Sequence, residues 1–253
     1  MTNILNKEEI ATIKTCGKIL RNALDQIASA IKPGISAFEL DQIAEKTLTS
    51  SGAIPSFKNY KVQGIGRYPS ALCVSINSEV VHGLPRKNKI VKDGDIVSLD
   101  LGAIYKGICT DAAVTVPVGN VSPKTLELVE ATKESLYLGI KEAREGAQIG
   151  DIGHAVQRYL ELNGFSVVRD LVGHGIGTLP HMEPQIPNYG NAGTGPEILE
   201  GMALAIEPMA TAGDYKVTTA DDRWTILTSD GSMAAHFEET IVIIDGEPVI
   251  VTR

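Results

Sequence analysis

The sequence predicts an α/β fold of the α+β kind: two pseudo-symmetric halves, each of two helices packed on a shared antiparallel sheet. Two repeated phrases predict it. A helix, a glycine stop, a second helix and a glycine exit occur twice, 112 residues apart. An acid-glycine turn that leads into a short apolar strand and ends on a carboxylate also occurs twice. No Pro/Gly/Ser-rich linker separates the copies, so residues 1–253 are expected to form one fused domain, with halves at about 1–120 and 121–253.

The first helix is expected from Lys7 to Ile31. Ile10, Ile13, Gly17, Leu20, Leu24, Ile27 and Ile31 recur three or four apart and make a one-sided stripe. Lys32-Pro33-Gly34 stops it. Ser36, with Glu39 three residues on, is a capping box that opens a second helix to about Ser50, and Gly52 closes that helix. At the offset of 112, Gly34 falls on Gly146, Glu39 on Asp151, Leu40 on Ile152, Leu48 on Leu160 and Gly52 on Gly164. A helix from about Pro123 to Arg144, capped by Ser122, precedes the second copy. Two helix hairpins could match by coincidence, but the strands match as well. Asp93-Gly94 leads through Ile96–Leu99 to Asp100, and Glu200-Gly201 leads through Ala203–Ile206 to Glu207. Each half thus supplies a His-Gly turn (His82, His174), an acid at a strand end, and a second acid in a later strand. That second acid is Asp111 in one half and Glu238 or Glu239 in the other.

Composition excludes several classes. The chain has 23 basic and 31 acidic side chains, net −8, against the basic footprint that nucleic-acid binding needs. A 43% hydrophobic content is too high for disorder. No apolar run approaches the roughly 18 residues of a membrane span. Met1–Ile10 is polar and has no secretory h-region. Cys16, Cys73 and Cys109 are an odd set, read as reduced thiols of a cytoplasmic protein.

The acids are the chemical signal. Ile96–Leu101 and Ile108–Val118 read as paired strands around a turn at Tyr105-Lys106-Gly107. Centred between Tyr105 and Lys106, the hairpin pairs positions that sum to 211, so Asp100 faces Asp111. Opposed side chains have Cβ atoms about 5 Å apart. Two carboxylates there, among Val97, Leu99, Val114 and Val116, need a proton or a cation between them. The alternative places both at strand ends, facing water. The mirrored pair of pairs, with a histidine in each half, favours metal. One histidine and four carboxylates without cysteine suit manganese, iron or cobalt better than structural zinc. Four negative charges balance two divalent ions, which can share a hydroxide near neutral pH. Alternation puts Glu238 with His236 and Thr240, and Glu239 with Phe237, Ile241 and Ile243, which favours Glu238 without settling it. His154 falls inside a helix and reads as structural. The glycines flanking His174 would let the backbone approach a ligand. H-E-x-x-H, G-x-S-x-G and Walker motifs are absent.

Together, Cys73-Val-Ser-Ile-Asn77, Val81-His82-Gly83-Leu84-Pro85, Asp100 with Asp111, Gly173–Gly177, His181 with Glu183-Pro184, Gly201-Met202 through Glu207-Pro208, and Glu238 before Thr240-Ile-Val resemble type I methionine aminopeptidases over essentially the whole chain. That family consists of M24 metallopeptidases with the pita-bread fold. The resemblance implies a single catalytic domain that removes the initiator methionine from nascent chains with a small second residue. It implies two divalent ions (cobalt, manganese, iron or zinc) held by Asp100, Asp111, His174, Glu207 and Glu238. Attack would be by a metal-bound hydroxide, with Asp111 and Glu238 shared between the ions and Glu207 shuttling protons. His82 and His181 would orient the amide and stabilise the oxyanion. Tyr68, Cys73 and Trp224 match the methionine pocket. The implied partners are nascent polypeptide N-termini and, where they emerge, the ribosome; the implied state is a monomer, with no nucleic-acid or membrane role.

The 33 residues from His174 to Glu207 leave no room for a type II insertion, and without a zinc-binding amino-terminal extension the chain is expected to resemble the short, bacterial-style form. Departures fall in the pocket. Pro180 stands where an aromatic is usual, Ile65 and Val62 where tyrosine and cysteine occur, and Val81 where some members have cysteine. Two alternatives remain: a proline dipeptidase-like pita-bread peptidase, usually with a large amino-terminal domain, and an inactive binding module, which would lack ligands.

Overall fold

A computed structural model describes residues 4–253. Four helices form where the patterning places them: α1 Lys7–Ala30, α2 Ala37–Ser50, α3 Pro123–Glu142 and α4 Ile149–Leu162. Asn6 caps α1 through a box with Glu9, and Ser36 caps α2 through the expected box with Glu39. Ser122 caps α3, and the Asp151 carboxylate accepts from the Gln148 N–H at the start of α4. Helices α2 and α4 have 14 residues each, and their bounds differ by the offset of the repeat. The exit glycines match too, with φ of 75° at Gly52 and 77° at Gly164, a left-handed conformation that costs glycine nothing.

Each helix pair covers its own sheet. Leu20, Leu24, Ile27, Leu40 and Leu48 of α1 and α2 pack on Leu72, Val74, Val97, Leu99 and Leu101. Leu128, Leu136, Ile152, Val156 and Leu160 of α3 and α4 pack on Leu204, Ile206, Ile241 and Ile243. A third cluster joins α1 to both sheets through Ile13, Ile108, Ala205, Val242 and Val251. Gly17 permits this: a Cβ there would meet the Val251 carbonyl oxygen at 2.0 Å. No helix among the described residues is long and apolar enough to cross a membrane.

The first sheet is built on a long hairpin, Ile96–Tyr105 with Ile108–Pro117, and Leu72–Ile76 pairs with its other edge. The register differs from the sequence expectation. Gly102 faces Asp111 and Asp100 faces Ala113, so the acids are diagonal neighbours on one face and not directly opposed. The first strand also runs past Leu101 to Tyr105. The two turn residues are Lys106 and Gly107, both left-handed at φ 48° and 81°, the type I′ geometry that two-residue hairpins prefer. The glycine thus occupies the second turn position, which moves the hairpin centre by one residue. The second sheet orders its strands Met182–Pro187, Val172–Gly175, Ala203–Ile206, Glu239–Ile244 and Glu247–Ile250.

One seam joins the two main sheets. Ala113 and Glu238 exchange backbone hydrogen bonds of 3.2 and 3.0 Å. On one side the Thr240 hydroxyl accepts from the Asp111 N–H at 2.9 Å and donates to the Asp111 carbonyl at 2.7 Å. On the other the Thr115 hydroxyl treats His236 alike, accepting from its N–H at 2.9 Å and donating to its carbonyl at 2.7 Å. Where the strands diverge too far for backbone pairing, a threonine hydroxyl fills the gap. Thr240→Val is therefore expected to lower stability by about 2 kcal/mol in urea unfolding, because it strands a buried N–H and C=O. Thr240→Ser should recover most of that loss; equal loss in both variants would contradict the role of the hydroxyl.

Candidate metal centre

Asp100, Asp111 and Glu238 meet below the seam. One carboxylate oxygen of each lies within 4.8 Å of the others. His174, Glu207 and Glu238 form a second such group, and Asp111, His174 and His181 a third. Both aspartates are buried inside strands, at 7% and 3% exposure, so the water-facing alternative fails. Glu238 sits between the strands Ala234–His236 and Glu239–Ile244 and turns toward Asp111. Glu239 points elsewhere and accepts a hydrogen bond from the Thr252 hydroxyl.

His174 lies within a strand and not in a turn, paired with Ala205 on one side and Gln185 on the other. Its flanking glycines serve the sheet and not a ligand. A Cβ at Gly173 would meet the Ala205 oxygen at 2.4 Å, and one at Gly175 the Glu183 oxygen at 2.2 Å. His174 Nδ1 is 3.0 Å from the Gly175 carbonyl, which can only accept, so the ring hydrogen sits on Nδ1. The bare Nε2 then faces Glu207 Oε1 at 3.5 Å, lone pair against carboxylate, an arrangement a cation between them would satisfy.

The electrostatics say the same. Burial raises the pKa of all four acids. Asp100 is pushed up to about 7 by burial, against a lowering hydrogen bond from Cys73. Asp111 is raised chiefly by burial, with Asp100 and Glu207 adding repulsion. Glu207 is raised by burial and then by Asp100, and Glu238 by burial and then by Asp111, Glu207 and Asp100. Asp100 Oδ1 and Glu238 Oε1 are buried with no hydrogen-bond partner among the described residues. Oxygen-rich, net negative and under-satisfied, this donor set fits hard divalent cations.

His82 and His181 stand exposed beside the acids. Gly83 donates to Ser75 Oγ at 3.1 Å and accepts from the Val74 N–H at 2.9 Å, drawing the chain against the strand Leu72–Ile76. His82 consequently adopts φ 57°, a strained conformation for a residue with a Cβ. Surrounding protein lowers its pKa to about 4, with His181 adding to the effect. His174 is lowered to about 4 by burial and then by His181, and His181 itself is lowered by burial.

All ten residues singled out by the sequence line one cavity of about 300 Å³: Tyr68, Cys73, His82, Asp100, Asp111, His174, His181, Glu207, Trp224 and Glu238. Tyr68 and Trp224 stack edge to face at 5.2 Å, and Cys73 pairs with Asp100 across the strands. Burial pushes the Cys16 and Cys109 thiols up to about 11 and about 12 and Cys73 well up, so all three are protonated. Two residues escaped the sequence reading. Tyr60 lines the cavity and its hydroxyl lies 3.0 Å from His181 Nδ1. His236 is buried with its Nε2 3.7 Å from Glu207 Oε2. A small hairpin, Lys61–Val62 with Gly66–Arg67, carries Ile65 at its exposed turn, outside the cavity that Tyr60 lines. Val62 does line the cavity; Pro180 does not.

Residues 11–245 match the model of metallopeptidase family M24. The chain is 47% identical over 245 residues to methionine aminopeptidase 1 of Bacillus subtilis, covering 97% of this chain and 96% of that protein. It is 45% identical to the methionine aminopeptidase of Clostridium acetobutylicum over 252 residues, 100% of this chain and 99% of the relative. The crystal structure of methionine aminopeptidase from Thermotoga maritima superposes with a TM-score of 0.96 at 45% identity, over 100% of both chains. The architecture is thus the pita-bread fold.

A pH dependence follows from the buried acids. They hold protons more tightly folded than unfolded, so raising the pH through their elevated pKa values costs stability. The lowered histidines act in the opposite sense, but only up to their ordinary value of 6.5. Metal-stripped protein should therefore lose thermal stability as pH rises from about 6.5 to 8. Saturating Mn²⁺ should abolish the fall. A melting temperature that rises over that interval without metal would contradict the charge balance drawn here.

Proposed function

The chain belongs to metallopeptidase family M24, and we infer that it removes the initiator methionine from nascent chains whose second residue is small. One observation carries the reading: four carboxylates and His174 come together on the wall of one cavity, beside two exposed histidines. The inactive-module alternative lacks support, because Asp100, Asp111, His174, Glu207 and Glu238 are all present and line one cavity.

We assign Asp100, Asp111, His174, Glu207 and Glu238 to two divalent ions, whether cobalt, manganese, iron or zinc. Glu238 belongs both to the group with Asp100 and Asp111 and to the group with His174 and Glu207, which suits it to be shared. Such ions, when bound, polarise a carbonyl and bring the pKa of water toward neutrality. The remaining work falls to the chain. His82 and His181 are neutral at pH 7, so each offers an N–H to the scissile amide or to the oxygen on which charge develops. The Tyr60 hydroxyl at His181 Nδ1 fixes that ring and turns Nε2 to the cleft. Glu207 carries a proton on its carboxylate from water to the departing nitrogen. Tyr68, Cys73 and Trp224 wall a slot for an unbranched, polarisable thioether. We further propose that residues 1–253 act as one monomeric catalytic domain in the cytoplasm, on N-termini emerging at the ribosome. The ligand set supports the single domain, since each half supplies part of it.

Metal-stripped protein should release methionine from a Met-Ala-Ser peptide only after Mn²⁺, Co²⁺ or Fe²⁺ is restored, and should leave an Ala-Pro peptide intact. Cleavage of Ala-Pro alone would move the chain to the proline peptidases. Glu238→Ala and His174→Ala should abolish turnover while leaving the fold, and full activity in either would overturn the ligand assignment. Tyr60→Phe should lower kcat about tenfold with little change in metal content, as loss of an orienting partner does.

A further inference from the structure

His236 closes the strand Ala234–His236 and is 1% exposed. Neither ring nitrogen has a hydrogen-bond partner among the described residues. Such a ring is an expensive way to fill a core, because a buried polar group without a partner forfeits its hydration. An apolar side chain would fill the same space without that cost. The backbone of His236 is fixed, since both its N–H and its carbonyl are held by the Thr115 hydroxyl at 2.9 and 2.7 Å. The seam therefore determines where the ring stands. It stands with Nε2 3.7 Å from Oε2 of Glu207, the carboxylate oxygen opposite the one that faces His174.

The two imidazoles at Glu207 are not equivalent. His174 has its hydrogen committed on Nδ1 to the Gly175 carbonyl and presents a lone pair to Oε1. His236 has no such commitment and can keep its hydrogen on Nε2, toward Oε2. Closing 3.7 Å to hydrogen-bond length takes a carboxylate rotation of roughly 0.5–1 Å. We propose that His236 is a positioning residue for Glu207: its neutral ring donates from Nε2 to Oε2 and thereby holds Oε1 beside His174 Nε2. Glu207 is then oriented by a donor behind it, as ligating carboxylates commonly are. The inference rests on the reading of Glu207 as a ligand and proton carrier.

Two measurements test it. The first is the two-bond ¹H–¹⁵N spectrum of zinc-loaded wild-type protein labelled at histidine. His236 should appear as the neutral Nε2–H tautomer; the Nδ1–H tautomer would overturn the proposal, because a lone pair would then face the carboxylate. The second compares His236→Leu with His236→Gln by Co²⁺ titration of stripped protein, followed by visible absorption, and by kcat and KM on Met-Ala-Ser. His236→Leu should weaken cobalt binding about 10–100-fold and lower kcat more than it raises KM. His236→Gln, which keeps an N–H donor, should stay within about threefold of wild type on both measures. A leucine variant that binds cobalt like wild type, or a glutamine variant as impaired as leucine, would overturn it. If the leucine variant does not fold, the tautomer decides. An inactive wild type would count against the proposed function, whereas the tautomer and the ratio of cobalt affinities would still judge His236.

Discussion

Ala113 and Glu238 pair through their backbones, and the Thr115 and Thr240 hydroxyls extend that pairing one step in each direction. These three contacts join the two main sheets, each of which carries its own helix core. They also set the chemistry. Asp111 and His236 are the residues whose backbones the threonines grip, and Glu238 lies between. A carboxylate from each half is brought within 4.8 Å of the other by hydrogen bonds that cannot slip without stranding buried polar groups. The site is therefore a property of the joint between the repeats, which neither repeat could form alone.

That joint carries an electrostatic load. Four buried acids whose pKa values all rise cannot share so small a space as anions without a cation. The surrounding histidines do not supply the charge, because the same burial holds them neutral. Divalent ions would resolve both problems at once: they would balance the carboxylates and occupy the lone pair that His174 directs at Glu207. An orienting donor behind Glu207 and the Tyr60 hydroxyl behind His181 extend the same logic outward, each fixing one ring or carboxylate in a direction its neighbours can use.

Much of this is legible in the chain. Capping boxes and glycine exits placed the helices because those signals are local, as at Ser36, Glu39 and Gly52. The pairing of Asp100 with Asp111 on one face was legible, but its register was not, because it hinged on which two residues adopt left-handed φ at Lys106-Gly107. Glycines around His174 signalled close approach without saying to what; two neighbouring strands answer. Tyr60 was hidden by the hairpin Lys61–Arg67, which separates it from Tyr68 in sequence while leaving both on the cavity wall. His236 carried no sequence signal at all: a lone histidine two residues from an acid acquires meaning only when its ring is seen buried beside Glu207.

We propose that carboxylates from both halves share a pair of ions across the seam. Electron paramagnetic resonance of stripped protein titrated with Mn²⁺ tests it most directly. The expected result is uptake of two ions per chain, with the second producing an exchange-coupled signal that Asp111→Ala and Glu238→Ala both erase. Two uncoupled ions, or coupling that survives removal of either shared carboxylate, would contradict it.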